Sequence, residues 1–195
     1  MRVCGLVLTV AAVLAAGAAR AEWRATERVE TYAITGQSGI ELYRSIGERG
    51  PKIGMGRVIA YTDFKLTWRR DYQPRGGNCT LASAKPNLVI TYRLPKPSQT
   101  LPPQTRQSWE TFIAGVTAHE RVHGEFIVEM VRKIEAVSVG LSAENDPKCQ
   151  KVRQKLQEHL GALSQEQRRR GREFDREEMS DGGNVHRLVL ALVNG

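Results

Sequence analysis

His119 and His123 stand four residues apart with Glu120 between them, in the stretch Thr117-Ala118-His119-Glu120-Arg121-Val122-His123-Gly124. On a helix, positions i and i+4 lie one turn apart on the same face, so both imidazoles can hold a single zinc ion. Glu120 then stands beside the metal, where a carboxylate takes a proton from a zinc-held water, the general-base role in HExxH peptidases. A chance HExxH in a chain of this length arises on the order of once in a few hundred sequences. The chain has only four histidines, and two of them fill this motif. The competing reading is a pair of half-buried helix histidines hydrogen-bonded to their neighbours.

A catalytic zinc takes three protein ligands and keeps a fourth position open. The metzincin pattern needs Gly at 126 and His at 129; the chain has Phe126 and Glu129, which excludes that class. Glu158 and Glu166 lie within reach further along, and Asp175, Glu178, Asp181 and His186 follow near the end of the next helical stretch. If that second helix folds back antiparallel, the 175–186 group arrives at the middle of the HExxH helix, which favours it. His159 reads as a surface histidine.

The elements that must position these groups follow from periodicity. Trp109, Phe112, Ile113, Val116, Glu120, His123, Ile127, Met130, Val131, Ile134 and Val137 recur at spacings of three and four, predicting one long helix over 106–139. Val152, Leu156, Leu160 and Leu163 predict a second over 147–172, with Gly171 loosening its end. The final apolar run, 185–193, suits either a strand or a short helix. Upstream, 27–35 reads as a strand and 39–47 as a short helix with Ser38 as N-cap. From Tyr61 to Trp68 apolar and polar residues alternate, with Thr62, Phe64, Leu66 and Trp68 on one side. Leu88, Ile90 and Tyr92 alternate likewise, and the two runs predict a long hairpin around Pro74-Arg75-Gly76-Gly77. Pro86 belongs at an edge or a bulge.

The expected fold is therefore α+β: a small antiparallel sheet with a short helix, then two long antiparallel helices carrying HExxH. A Pro, Ser and Thr-rich connector, 95–103, separates a strand-rich half, 22–95, from a helical half, 104–195, within a single domain.

Residues 1–21 read as a signal peptide: Arg2, an apolar run from Val3 to Ala19, and a small-x-small site at Ala19-Arg20-Ala21. Export with cleavage predicts a periplasmic or secreted bacterial protein without a stable membrane anchor. Cys4 leaves with the peptide, and Cys79 and Cys149 remain as one expected disulfide across the connector. Removing Arg2 and Arg20 takes the 29 basic residues to 27 against 21 acidic ones, a formal +6. Such a charge suits anionic envelope polymers or acidic substrates. Nucleic acid is not an expected partner, because the basic residues are scattered or bunched in Arg168-Arg169-Arg170 among acids, and no binding motif appears.

The combination of Tyr32, Tyr61-Thr62-Asp63, Leu66-Thr67-Trp68, Gly76-Gly77-Asn78-Cys79, Val89-Ile90-Thr91-Tyr92, Leu94-Pro95, Trp109, the HExxH helix, a later Cys and Phe174-Asp175 resembles a family of bacterial exported proteins of unknown function, described as predicted secreted zinc-dependent proteases. The resemblance covers nearly the whole mature chain. It implies a zinc-dependent protease acting on protein or peptide substrates. In that family a His precedes a Gly after the aromatic-Asp pair; here Asp181 precedes Gly182, with one residue inserted. Asp181 is accordingly the first choice for the third ligand and Asp175 the second. Tyr61, Tyr92 and Arg176 are candidate oxyanion stabilisers. Two other functions fit the same residues: a non-catalytic envelope binding protein with structural or no zinc, and a peptidoglycan amidase.

Overall fold

The computed structural model describes residues 23–195, so the expected export segment lies outside the described residues. Ten elements follow in order: β1 (Thr26–Ile34), α1 (Gly39–Arg49), β2 (Lys52–Ile53), β3 (Gly56–Arg57), β4 (Tyr61–Arg75), β5 (Asn78–Pro97), α2 (Pro103–Ser138), β6 (Ser142–Ala143), α3 (Gln150–Met179) and α4 (Asn184–Asn194). The fold is α+β, as the periodicities predict.

β4 and β5 form the long antiparallel hairpin, in register from Tyr61 opposite Arg93 to Arg75 opposite Asn78. The turn uses Gly76 and Gly77 at φ +57° and +81°, where a side chain would be strained. β5 is the central strand, and its Leu81, Ala84, Leu88, Ile90, Tyr92 and Leu94 are buried. β1 joins the other side of β5 in parallel, starting at Thr26 opposite Val89, while β6 pairs with β5 only at Cys79 and Thr80. Pro86 falls in the gap between these two partners, where a missing N–H removes no ladder bond on that side.

α1 starts at a capping box: Glu41 N–H donates to Ser38 Oγ, and the Ser38 N–H donates to the Glu41 carboxylate. α2 spans 36 residues from a proline start and lays Trp109, Phe112, Val116, Ile127, Met130, Val131 and Ile134 onto the sheet face.

α3 begins three residues later than Pro147, because the Asp146 carboxylate accepts from the N–H groups of Gln150 and Val152. It also runs past Gly171 to Met179 rather than loosening there. Gly171 lies against α2, where a Cβ would make an ordinary 3.5 Å contact with Nδ1 of His123. Ion pairs and a cation–π contact bridge the two antiparallel helices. Lys133 bonds Glu166 at 2.8 Å, Arg170 bonds Glu129, and the Arg170 guanidinium lies 4.3 Å over the Phe126 ring.

Cys79 and Cys149 form the expected disulfide, joining the hairpin end of β5 to the start of α3. The ambiguous C-terminal run is helix α4, with Val185 and Leu192 buried. Apolar residues at 185, 188, 189 and 192 follow a helical rather than an alternating period. None of the described helices is long and apolar enough to cross a membrane.

Candidate metal centre

Halfway along α2 the apolar stripe is interrupted by His119 and Glu120, which are only 4 % and 5 % exposed. Burying such groups is costly unless each finds a partner. The partners come from α3 and β4. Nε2 of His123 lies 2.8 Å from Oδ1 of Asp175, and Nε2 of His119 lies 3.3 Å from that same oxygen. The two Nε2 atoms are 3.2 Å apart. Three donor atoms thus form a nearly equilateral triangle. The face of a tetrahedral zinc site with ligand bonds of about 2.0–2.1 Å has edges of about 3.3 Å, so two imidazoles and one carboxylate at these separations suit that ion.

Asp175, the second choice from sequence, is the carboxylate brought to the histidines. Asp181, the first choice, is not: α3 ends at Met179, and Asp181 sits exposed in the following turn. The antiparallel register explains the difference, because α3 stays helical and keeps Asp175 opposite the HExxH turn. Glu178, one turn further on, has Oε2 3.7 Å from Nδ1 of His119. His186 Nδ1 accepts from the Gly182 N–H, Glu166 is bonded to Lys133, and Glu158 and His159 are exposed elsewhere on α3. None of these four joins the triangle.

The His119 ring is held by stacking on Phe174, with centroids 4.7 Å apart and planes 17° from parallel, and Phe174 also meets the edge of His123. Nδ1 of His119 is buried and lacks a hydrogen-bond partner. That fits a metal ligand: when Nε2 gives its lone pair to an ion, Nδ1 carries the proton and needs an acceptor, and Glu178 is adjacent. Glu120 is oriented from the sheet, since the Thr62 hydroxyl lies 2.5 Å from its Oε2 and 3.0 Å from its backbone carbonyl. Sequence reasoning gave Thr62 no role. The available signal was a hydroxyl on the otherwise apolar side of β4.

Charge and burial pull the three groups in different directions. Burial raises the Glu120 carboxyl above its ordinary range, outweighing the Thr62 hydrogen bond and the nearby imidazoles. Burial by itself lowers His119, but the hydrogen bond to Asp175 and the charges of Glu120, Asp175 and Glu178 carry it above its usual value. For Asp175 burial acts upward, yet the hydrogen bonds and charges of His119 and His123 prevail and hold it far below the carboxylate range.

The site opens into a groove of 590 Å³ between α3 and the start of β4. Tyr61 lines it, whereas Tyr92 is buried beneath Gly124 and Arg176 is exposed away from it. Tyr92 is pushed up to about 12, first by burial and then by Glu27.

The fold and the donor triangle define an α+β domain with an HExxH helix and a carboxylate supplied by the antiparallel helix beside it. The chain belongs to the family of bacterial proteins of unknown function designated DUF922, whose model matches residues 29–183. No curated protein and no solved structure matches the chain.

Proposed function

We propose that this protein is an exported zinc-dependent hydrolase that cleaves peptide bonds. The observation that carries the reading is the triangle of His119 Nε2, His123 Nε2 and Asp175 Oδ1, with buried Glu120 beside it, at the floor of an open groove. His119, His123 and Asp175 would hold the zinc, and Glu178 would accept the proton on His119 Nδ1. Bound zinc supplies a Lewis acid that makes water acidic enough to act near neutral pH and polarises a carbonyl.

Glu120 then takes the proton of the attacking water, holds it on the oxygen that is free of Thr62, and passes it to the leaving amine. Its burial favours this, because a desolvated carboxylate takes up a proton more readily. Thr62 keeps the other oxygen fixed. The disulfide fits an oxidising compartment, in line with the export segment.

Metal analysis of the purified mature chain tests the first half of the proposal. One zinc per chain in wild type, and loss of it in His119→Ala, is the expected result; equal content in both sinks the metal site. Glu120→Gln tests the second half. It should keep its zinc and lose at least about 10³-fold in hydrolysis of unfolded protein or peptide mixtures, and unchanged turnover refutes Glu120 as the base.

A further inference from the structure

The groove carries a charge pattern that the metal chemistry does not require. Four arginines crowd one stretch of α3: Arg168, Arg169, Arg170 and Arg172. Two are neutralised within the protein, Arg169 by Glu173 at 2.7 Å and Arg170 by Glu129. Arg168 and Arg172 line the groove, and neither pairs with a carboxylate among the described residues. They lie at i and i+4 on the α3 stripe that continues through Asp175 to Met179, so they follow the metal site along one wall.

The opposite wall is β4. The sheet order β1-β5-β4 leaves β4 as an edge, and among the described residues no strand pairs with its outer side. Its residues Tyr61 to Phe64 line the groove beside Glu120; the Phe64 N–H donates to the Asp63 carboxylate, and the rest of this edge has no strand partner among the described residues. Ile53, Phe64 and Met179 add apolar surface that water reaches, being 43 %, 37 % and 48 % exposed.

An open strand edge, an apolar patch and two unneutralised guanidinium groups together define an occupant. We propose that the groove binds an extended acidic peptide, added as a strand to the outer edge of β4, with an apolar side chain against Phe64 and a carboxylate on Arg168 and Arg172. The peptide class rests on the hydrolase reading above, and backbone pairing on a strand edge is a recurring mode of peptide capture. Arginine presents a planar fork of donors that matches a carboxylate in bidentate geometry.

The spacing also sets a register. Arg172 is three residues from Asp175 and Arg168 is seven, or about 4.5 and 10.5 Å along the helix axis. An extended chain advances about 3.3 Å per residue. The favoured acidic residue therefore sits two or three positions from the bond that lies over the metal site.

The test uses the zinc-loaded Glu120→Gln protein, so that binding is read without turnover, and fluorescent peptides of ten residues carrying Glu or Lys two and three positions from a central Phe. Anisotropy should show the Glu peptide binding at least about tenfold more tightly. Arg168→Glu combined with Arg172→Glu, both at exposed positions, should invert that preference, while Arg169→Glu leaves it in place. Equal binding of the two peptides, or a preference untouched by the double reversal, overturns the proposal. Binding of polyphosphate or a sulfated polysaccharide, with neither peptide held, overturns it in favour of an anionic polymer. A charge-selective peptide complex that the wild-type, zinc-loaded protein fails to cleave supports the groove assignment and refutes only the hydrolase reading.

Discussion

The two ends of the α2–α3 pair solve opposite problems. At the end near Cys149, Leu81, Ala143, Val152 and Leu156 close around the disulfide, and the Asp146 carboxylate is matched by backbone N–H groups. Burial there is mainly apolar and covalently clipped, although Arg70 Nε, beside Tyr72 and Arg153, is buried without a hydrogen-bond partner. At the other end, His119 and Glu120 are buried to a similar degree, His119 Nδ1 lacks a partner, and the Glu120 carboxyl is held away from its solution preference. An ion would resolve the triangle of donor atoms that the protein alone leaves crowded. The contrast teaches that one end of the pair is closed by a small apolar cluster and a covalent bond, while the other buries ionisable groups, at some energetic cost, within the main core.

The sharpest way to break the comparison is to exchange the two acidic candidates. Asp175→Ala should weaken zinc binding by at least about 10³-fold, measured by competition with a chelating dye, because a ligand is lost. Asp181→Ala should leave the affinity within about twofold. The reverse order would return the third ligand to the turn after α3.

Next in size is the clip. Cys79 and Cys149 are 70 residues apart, and opening a loop of that length costs about 4 kcal/mol by the chain-entropy relation. The Cys79→Ser, Cys149→Ser protein should melt about 10 °C lower, yet its zinc stoichiometry should remain one per chain. Loss of zinc from the folded variant would show that the two ends are not separable.

Two glycines sharpen the picture at the site. A Cβ at Gly124 would collide with the Tyr92 hydroxyl, so Gly124→Ala should destabilise by about 1–3 kcal/mol in denaturant titrations. Gly171→Ala meets only an ordinary contact with His123, and the helix propensity gain of up to about 1 kcal/mol should prevail. Equal losses at both positions would mean that α2 and α3 pack more closely at His123 than described.

The smallest effect concerns the metal-free protein. A carboxyl whose pKa is raised on folding contributes stability below its unfolded value and loses it as pH rises through the folded one. Metal-free Glu120→Gln should therefore melt higher than metal-free wild type near neutral pH. The difference should vanish at acid pH, where Glu120 is protonated in both states. A variant that melts lower at every pH would show that Glu120 is favourably paired.

Much of this was legible in the linear chain because it depends on local rules. The period of three and four over 106–139 required a helix, and a helix places His119 and His123 on one face. Alternation in β4 and β5, with Gly76 and Gly77 between them, required a hairpin, and two remaining cysteines in an expected oxidising compartment pointed to one bond. The ends of elements were less legible. Gly171 reads locally as a helix breaker, but α3 continues through it and packs it against the His123 ring, which lies 48 positions away in sequence.

What only the tertiary structure decided is which distant groups meet. Asp175 and Asp181 differ little as isolated carboxylates; the choice between them depends on the register of α2 against α3, in which Lys133 meets Glu166 and Arg170 meets Glu129, and on where α3 ends. Thr62 reaches Glu120 because β4 lies under α2, and the arginines of α3 divide into paired and unpaired sets because only one face of that helix meets the groove. The sequence by itself determined the two imidazoles, the carboxylate between them and the helix that carries all three, since those relations span one turn of backbone. The third donor, the hydroxyl that orients Glu120 and the walls of the groove come from elements dozens of residues apart, and packing alone brings them together.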